Sequence, residues 1–169
     1  MRLPNEADGE TPIRPSLMEA LIDEDPDHSE DRPVTARERL RVLRERLRED
    51  LESLLNTRQR ATSIPEDLRE LSRSVFDYGV PDLSGADLAS KELRDAFLDE
   101  LARRIRAHDS RFHSVHVESL ETDDPHDRTL RLRIEAVLRL ESRREDVKFD
   151  FRLEPVSRHF EASRRERSA

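Results

Sequence analysis

The chain has 169 residues, enough for one compact domain with a tail. Charged residues reach 41% against 34% apolar, so the core must be small and the surface laced with ion pairs; a net charge of −8, with one Tyr, six Phe and no Trp, lacks the basic and aromatic footprint of a nucleic-acid binder. The absence of cysteine excludes disulfides, thiolate nucleophiles and Cys-based metal sites, and no run approaches the roughly 18 apolar residues needed for direct membrane insertion, so the expected compartment is the cytoplasm.

Residues 1–34 carry ten acids against three arginines and include Pro4, Pro12, Pro15, Pro26 and Pro33, the composition of a flexible acidic arm. Within it Leu17, Met18, Leu21 and Ile22 follow Ser16 at helical spacing, which predicts a short docking helix. From Thr35 the positions Leu40, Leu43, Leu47, Leu51 and Leu54 step by three or four residues, a single apolar stripe on a charged helix that Thr35 caps. Ser63-Ile64-Pro65-Glu66 combines a capping box with a first-turn proline and predicts a second helix facing inward through Leu68, Leu71 and Val75, stopped by Gly79 and Pro81. A third helix is expected from about Ser90 to Ala107, along Leu93, Phe97, Leu101 and Ile105.

After Ser110 the period changes from 3.6 to 2. Val115 and Val117, then Leu130 to Leu140, then Val147, Phe149, Phe151 and Leu153 alternate with mostly charged residues, giving a sheet with one apolar and one charged face. Short connections make the neighbours antiparallel. The fold class is therefore α+β, with about three N-terminal helices packed on one face of a small antiparallel β-sheet. The strand over 128–141 is central, the strands over 113–118 and 147–153 are edges, and Ser157–Ala162 offers a fourth, short strand. Residues 35–162 form the domain and residues 163–169 a frayed tail.

Chemistry finds little purchase. Among 39 acidic residues close carboxylate pairs are inevitable, and aromatic material to desolvate a catalytic acid is scarce, so cleavage of a glycosidic bond is not expected. His113 and His116 fall on opposite faces of a strand and cannot share a metal. Three glycines make no phosphate loop. No cofactor is expected, and no catalytic residue.

The segments that stand out lie at helix ends: Leu54-Leu55-Asn56-Thr57-Arg58, Asp77-Tyr78-Gly79-Val80-Pro81-Asp82 and His108-Asp109-Ser110-Arg111-Phe112. In that order and spacing they resemble the TssE family of type VI secretion baseplate wedge subunits, itself similar to the phage gene-25 wedge protein long labelled lysozyme-like. Phe149-Asp150 and Glu154-Pro155 add to the likeness, which spans about residues 35–161. Where the family commonly reads Glu-Pro-Arg this chain has Asp109-Ser110-Arg111, keeping acid and arginine but losing the proline. The resemblance implies a structural subunit without catalysis, in a baseplate docked at the inner membrane. It implies assembly with the wedge subunits TssF and TssG and a place where the sheath of TssB and TssC starts, with Asn56, Arg58, Tyr78, Gly79, Pro81, Asp82, Asp109 and Arg111 as partner-binding residues. An edge strand that templates another chain supplies a mechanism, β-augmentation, for which Lys148 and Arg152, or Ser114 and His116, are the outward positions. The alternative is a regulatory, anti-adaptor-like protein of the same fold that binds a response-regulator partner.

Overall fold

The computed structural model describes residues 21, 35–60, 64–65, 67–68, 70–71, 74–81, 90–120, 129–140, 143–153 and 159–163. Helix α1 spans Ala36–Asn56 and opens on a complete capping box, in which the Thr35 hydroxyl accepts from the Glu38 N–H while the Glu38 carboxylate accepts from the Thr35 N–H. Its leucine stripe is buried as its spacing predicts: Leu47, Leu51 and Leu54 lie in the core together with Leu55, and Leu43 packs against them. Helix α2 spans Lys91–His108, capped by Ser90. Its buried face begins one turn later than expected, since Leu93 is 54% exposed, and then runs through Phe97, Leu98, Leu101 and Ile105.

The helix expected after Pro65 is replaced, among the described residues, by a chain of tight turns, so the described part of the domain packs two α-helices, not about three, against the sheet. Leu68 N–H donates to the Pro65 carbonyl, Leu71 to Leu68, Ser74 to Leu71 and Asp77 to Ser74, each a three-residue step, ending in a 3-10 turn at Val75–Asp77. Two causes are visible. The Ser74 hydroxyl donates to the Leu71 carbonyl and accepts from Phe76 N–H, so it caps a new turn where a helix would have continued. Beyond it the backbone is drawn out to pair with the end of α1: Val80 N–H donates to the Thr57 carbonyl at 2.8 Å and Gln59 N–H to the Val80 carbonyl at 2.9 Å. Leu68 and Val75, expected to face inward, are 47% and 92% exposed.

Strands β1 (Phe112–Leu120), β2 (Leu130–Arg139), β3 (Arg144–Leu153) and β4 (Phe160–Ala162) form one antiparallel sheet in the order β1-β2-β3-β4. The alternation read from the sequence is the alternation in space: Leu132, Ile134, Ala136 and Leu138 of β2 and Val147, Phe149, Phe151 and Leu153 of β3 are buried. A bulge between Phe112 and Ser114 lets both Phe112 and Val117 reach the core despite their odd separation. Helix α2 packs on β1 and α1 on β4, so the helices close one face and leave the other charged. No helix among the described residues is long and apolar enough to cross a membrane. Of the docking helix expected at residues 16–22 only Leu21 is described; it is helical and exposed. The rest of the acidic arm, Ser63, Glu66, Asp82, the 121–128 connection, Glu154-Pro155 and the tail beyond Ser163 lie outside the described residues.

Candidate functional site

The three helix-end segments converge around one buried cation. Arg104 projects from the apolar face of α2 and is only 6% exposed. Its Nε donates to Glu100 at 2.6 Å, and its Nη1 donates to the carbonyls of Asp77 and Gly79 at 3.1 and 3.0 Å. The Asp77 carboxylate lies 3.7 Å from the same guanidinium and accepts from Gln59 Nε2. His108 Nε2 meets the Asp77 carbonyl at 3.2 Å, and its ring stands edge-on to Tyr78. Gly79 adopts φ 110°, and a Cβ there would collide with the Thr57 carbonyl, so this position requires glycine on both counts. Burial disfavours the Glu100 carboxylate, but hydrogen bonds from Arg103 and Arg104 outweigh it and hold the group below the usual glutamate range.

Asp109 and Arg111 form the helix-to-strand junction. The Asp109 carboxylate accepts from both the backbone N–H and the guanidinium of Arg111, and Arg111 reaches on to Asp50 of α1 at 2.5 Å. This carboxylate-to-amide bond fixes the turn that a proline would otherwise stiffen. Burial works against the Arg111 charge, yet Asp109 and Asp50 raise its pKa further above the ordinary arginine value. Beside it opens a cavity of about 580 Å³ lined by Arg41, Val42, Glu45, Arg46, Glu49 and Asp50.

Asn56 turns out to be a structural cap on the sheet. Its Nδ2 donates to the Phe160 carbonyl at 2.9 Å and its Oδ1 accepts from the Phe160 N–H at 2.8 Å, so one carboxamide takes the place of a neighbouring strand along the outer edge of β4. Arg58 and Val80 form the parallel bridge between the first two motifs, and Pro81 follows it directly.

The remaining candidates lie on the sheet edges, where side-chain direction and backbone direction must be separated. Ser163 N–H donates to the Asp150 carbonyl, so even-numbered residues of β3 point their amides away from β2. Arg152 is paired there with Glu161 of β4. Because β4 covers only Phe151–Leu153, the edge over 144–149 has no neighbouring strand among the described residues, and Arg144, Asp146 and Lys148 present outward backbone groups. Lys148 rests its ammonium on Glu135 at 2.6 Å, a bond that holds Glu135 below the usual carboxylate range. On β1 the relation is reversed: Arg139 N–H donates to the Arg111 carbonyl, so after the bulge Ser114 and His116 direct their amides into β2, and the outward ones belong to Val115 and Val117. Arg152, Ser114 and His116 are therefore not free edge positions; Lys148 is.

The family model described as baseplate wedge protein gp25 matches residues 41–143, more than half of the chain. The chain belongs to the baseplate wedge protein gp25 family. Among curated proteins none matches it. The family is one of structural baseplate proteins, and the match takes in the Arg104 hub and the Asp109–Arg111 junction but ends just before β3. The hub is the part of this gp25-family protein that sequence reading missed. Arg104 falls seven residues after Phe97 and three after Leu101, so a cation on the buried stripe was the signal.

Proposed function

We propose that this gp25-family protein is a non-enzymatic subunit of a type VI secretion baseplate, of the TssE kind. It joins TssF and TssG in the wedge and starts the TssB–TssC sheath by accepting a sheath strand at the open edge of β3, on the cytoplasmic side of the inner membrane. Support comes from the family membership and, above all, from one observation: a six-residue stretch of a long central-sheet strand, Arg144–Phe149, keeps its outward backbone groups without a strand beside them among the described residues. Such an edge is a template for another chain.

Lys148→Pro removes one outward backbone donor and no backbone hydrogen bond inside the sheet, because the Lys148 amide faces away from β2; it also removes the exposed Lys148–Glu135 ion pair. A folded Lys148→Pro protein, shown by an unchanged cooperative melt, is expected to co-purify with TssF and TssG and yet to lose most fluorescent sheaths in cells. Normal sheath numbers with this variant would sink strand addition at β3.

A further inference from the structure

On the charged face of the sheet four cross-strand neighbours are opposite in sign: Glu118 beside Arg133 at 3.9 Å, Arg133 beside Asp150 at 2.8 Å, Glu135 beside Lys148 at 2.6 Å and Arg152 beside Glu161 at 2.8 Å. Two pairs are like-charged, Arg131 facing Arg152 and Arg139 facing Arg144. At the edge the next position in three rows is vacant of any strand among the described residues. There the charges read Arg144, Asp146, Lys148, plus, minus, plus, on the residues whose backbone groups point outward. Among the described residues neither Arg144 nor Asp146 has an ion-pair partner; across the ladder Arg144 faces Arg139, and Asp146 faces Val137.

We propose, resting on the strand-addition reading above, that this edge selects its partner by charge: an extended segment carrying acid, base and acid at alternate positions, opposite Arg144, Asp146 and Lys148. Residues directly opposite in an added antiparallel strand bring their Cβ atoms within about 5.5 Å, close enough for each pair to count. The pattern is symmetric, so it is read the same way by a parallel or an antiparallel partner. A second copy of this chain in the complementary antiparallel register, Asp146 against Lys148, would place its Arg144 opposite Asp150, where Ser163 already occupies the edge by donating its N–H to the Asp150 carbonyl. A different chain that ends before Asp150 meets no such obstacle.

The test uses the full chain and two labelled synthetic strand peptides in which valine and threonine alternate with charges, one reading acid-base-acid and the other base-acid-base, followed by fluorescence anisotropy. The acid-base-acid peptide is expected to bind about tenfold more tightly, given two or three cross-strand pairs that change sign, with the preference shrinking as salt rises. Asp146→Lys should shrink that preference, and Lys148→Pro should abolish binding of both peptides. Equal affinities that both vanish in Lys148→Pro overturn the charge selection and leave strand addition standing. Binding that survives Lys148→Pro, or no binding of any peptide, overturns both. A concentration-dependent dimer by light scattering that Lys148→Pro abolishes makes a second copy the occupant and overturns the proposal.

Discussion

A single guanidinium organises the motif hub, and its surroundings are residues whose replacement has calculable effects. Gly79 sits at φ 110° against the Thr57 carbonyl, so Gly79→Ala adds both a disfavoured backbone conformation and a clash with backbone that cannot swing aside. A loss of about 1–3 kcal/mol is expected, read as a lower urea midpoint with an unchanged slope. Glu100 gives the hub its pH dependence. Its pKa in the folded chain is depressed, so its contribution is fully present above the unfolded value of about 4.3 and is lost as pH falls through the folded value. The stability difference between wild type and Glu100→Gln should therefore be greatest near neutrality and shrink below about pH 4. A difference that grows on acidification would contradict the assignment.

Among the elements, β4 is the one held by a side chain from elsewhere. Only three residues of it pair with β3, and the outer amide and carbonyl of Phe160 are satisfied by Asn56, 104 residues away. Asn56→Ala is expected to cost about 1–3 kcal/mol, the penalty for leaving buried backbone groups without partners, and to accelerate hydrogen exchange at Phe160 well beyond that in β2. These elements also mark what the sequence discloses. The leucine stripe of α1 and the period-2 runs of β2 and β3 were legible because local spacing alone decides which side is buried. The segment after Pro65 was not, because its path is set by Ser74 and by backbone pairing with Thr57 and Gln59, a tertiary contact that capping signals do not contain. The Asn56 motif was noticed, but its target is invisible in local sequence. Lys148 and Arg152 look alike as outward charged positions, and only the shortness of β4 separates them.

For the molecule as a whole, α1, α2 and the sheet are tied together at Arg111. The residue links Asp50 of α1 to Asp109 at the start of the strands, and its side chain is 37% exposed, so its ion pairs are partly screened by solvent. Arg111→Ala should thus keep the circular dichroism spectrum and a cooperative melt. If Arg111 also meets the wedge, co-purification with TssF and TssG should fall severalfold; unchanged recovery would confine the residue to the junction.

Mechanically, the open edge is a slot with a stop at one end. About 20 Å of strand, six residues at 3.3–3.4 Å each, is accessible from Arg144 to Phe149, and Ser163 with β4 blocks further travel at Asp150. Among the described residues no strand bars one laid there from running on past Arg144, whereas β4 bars it at the other end. Asn56 holds that stop from α1, so under the strand-addition proposal the position at which an incoming chain would come to rest is set from the far side of the apolar core.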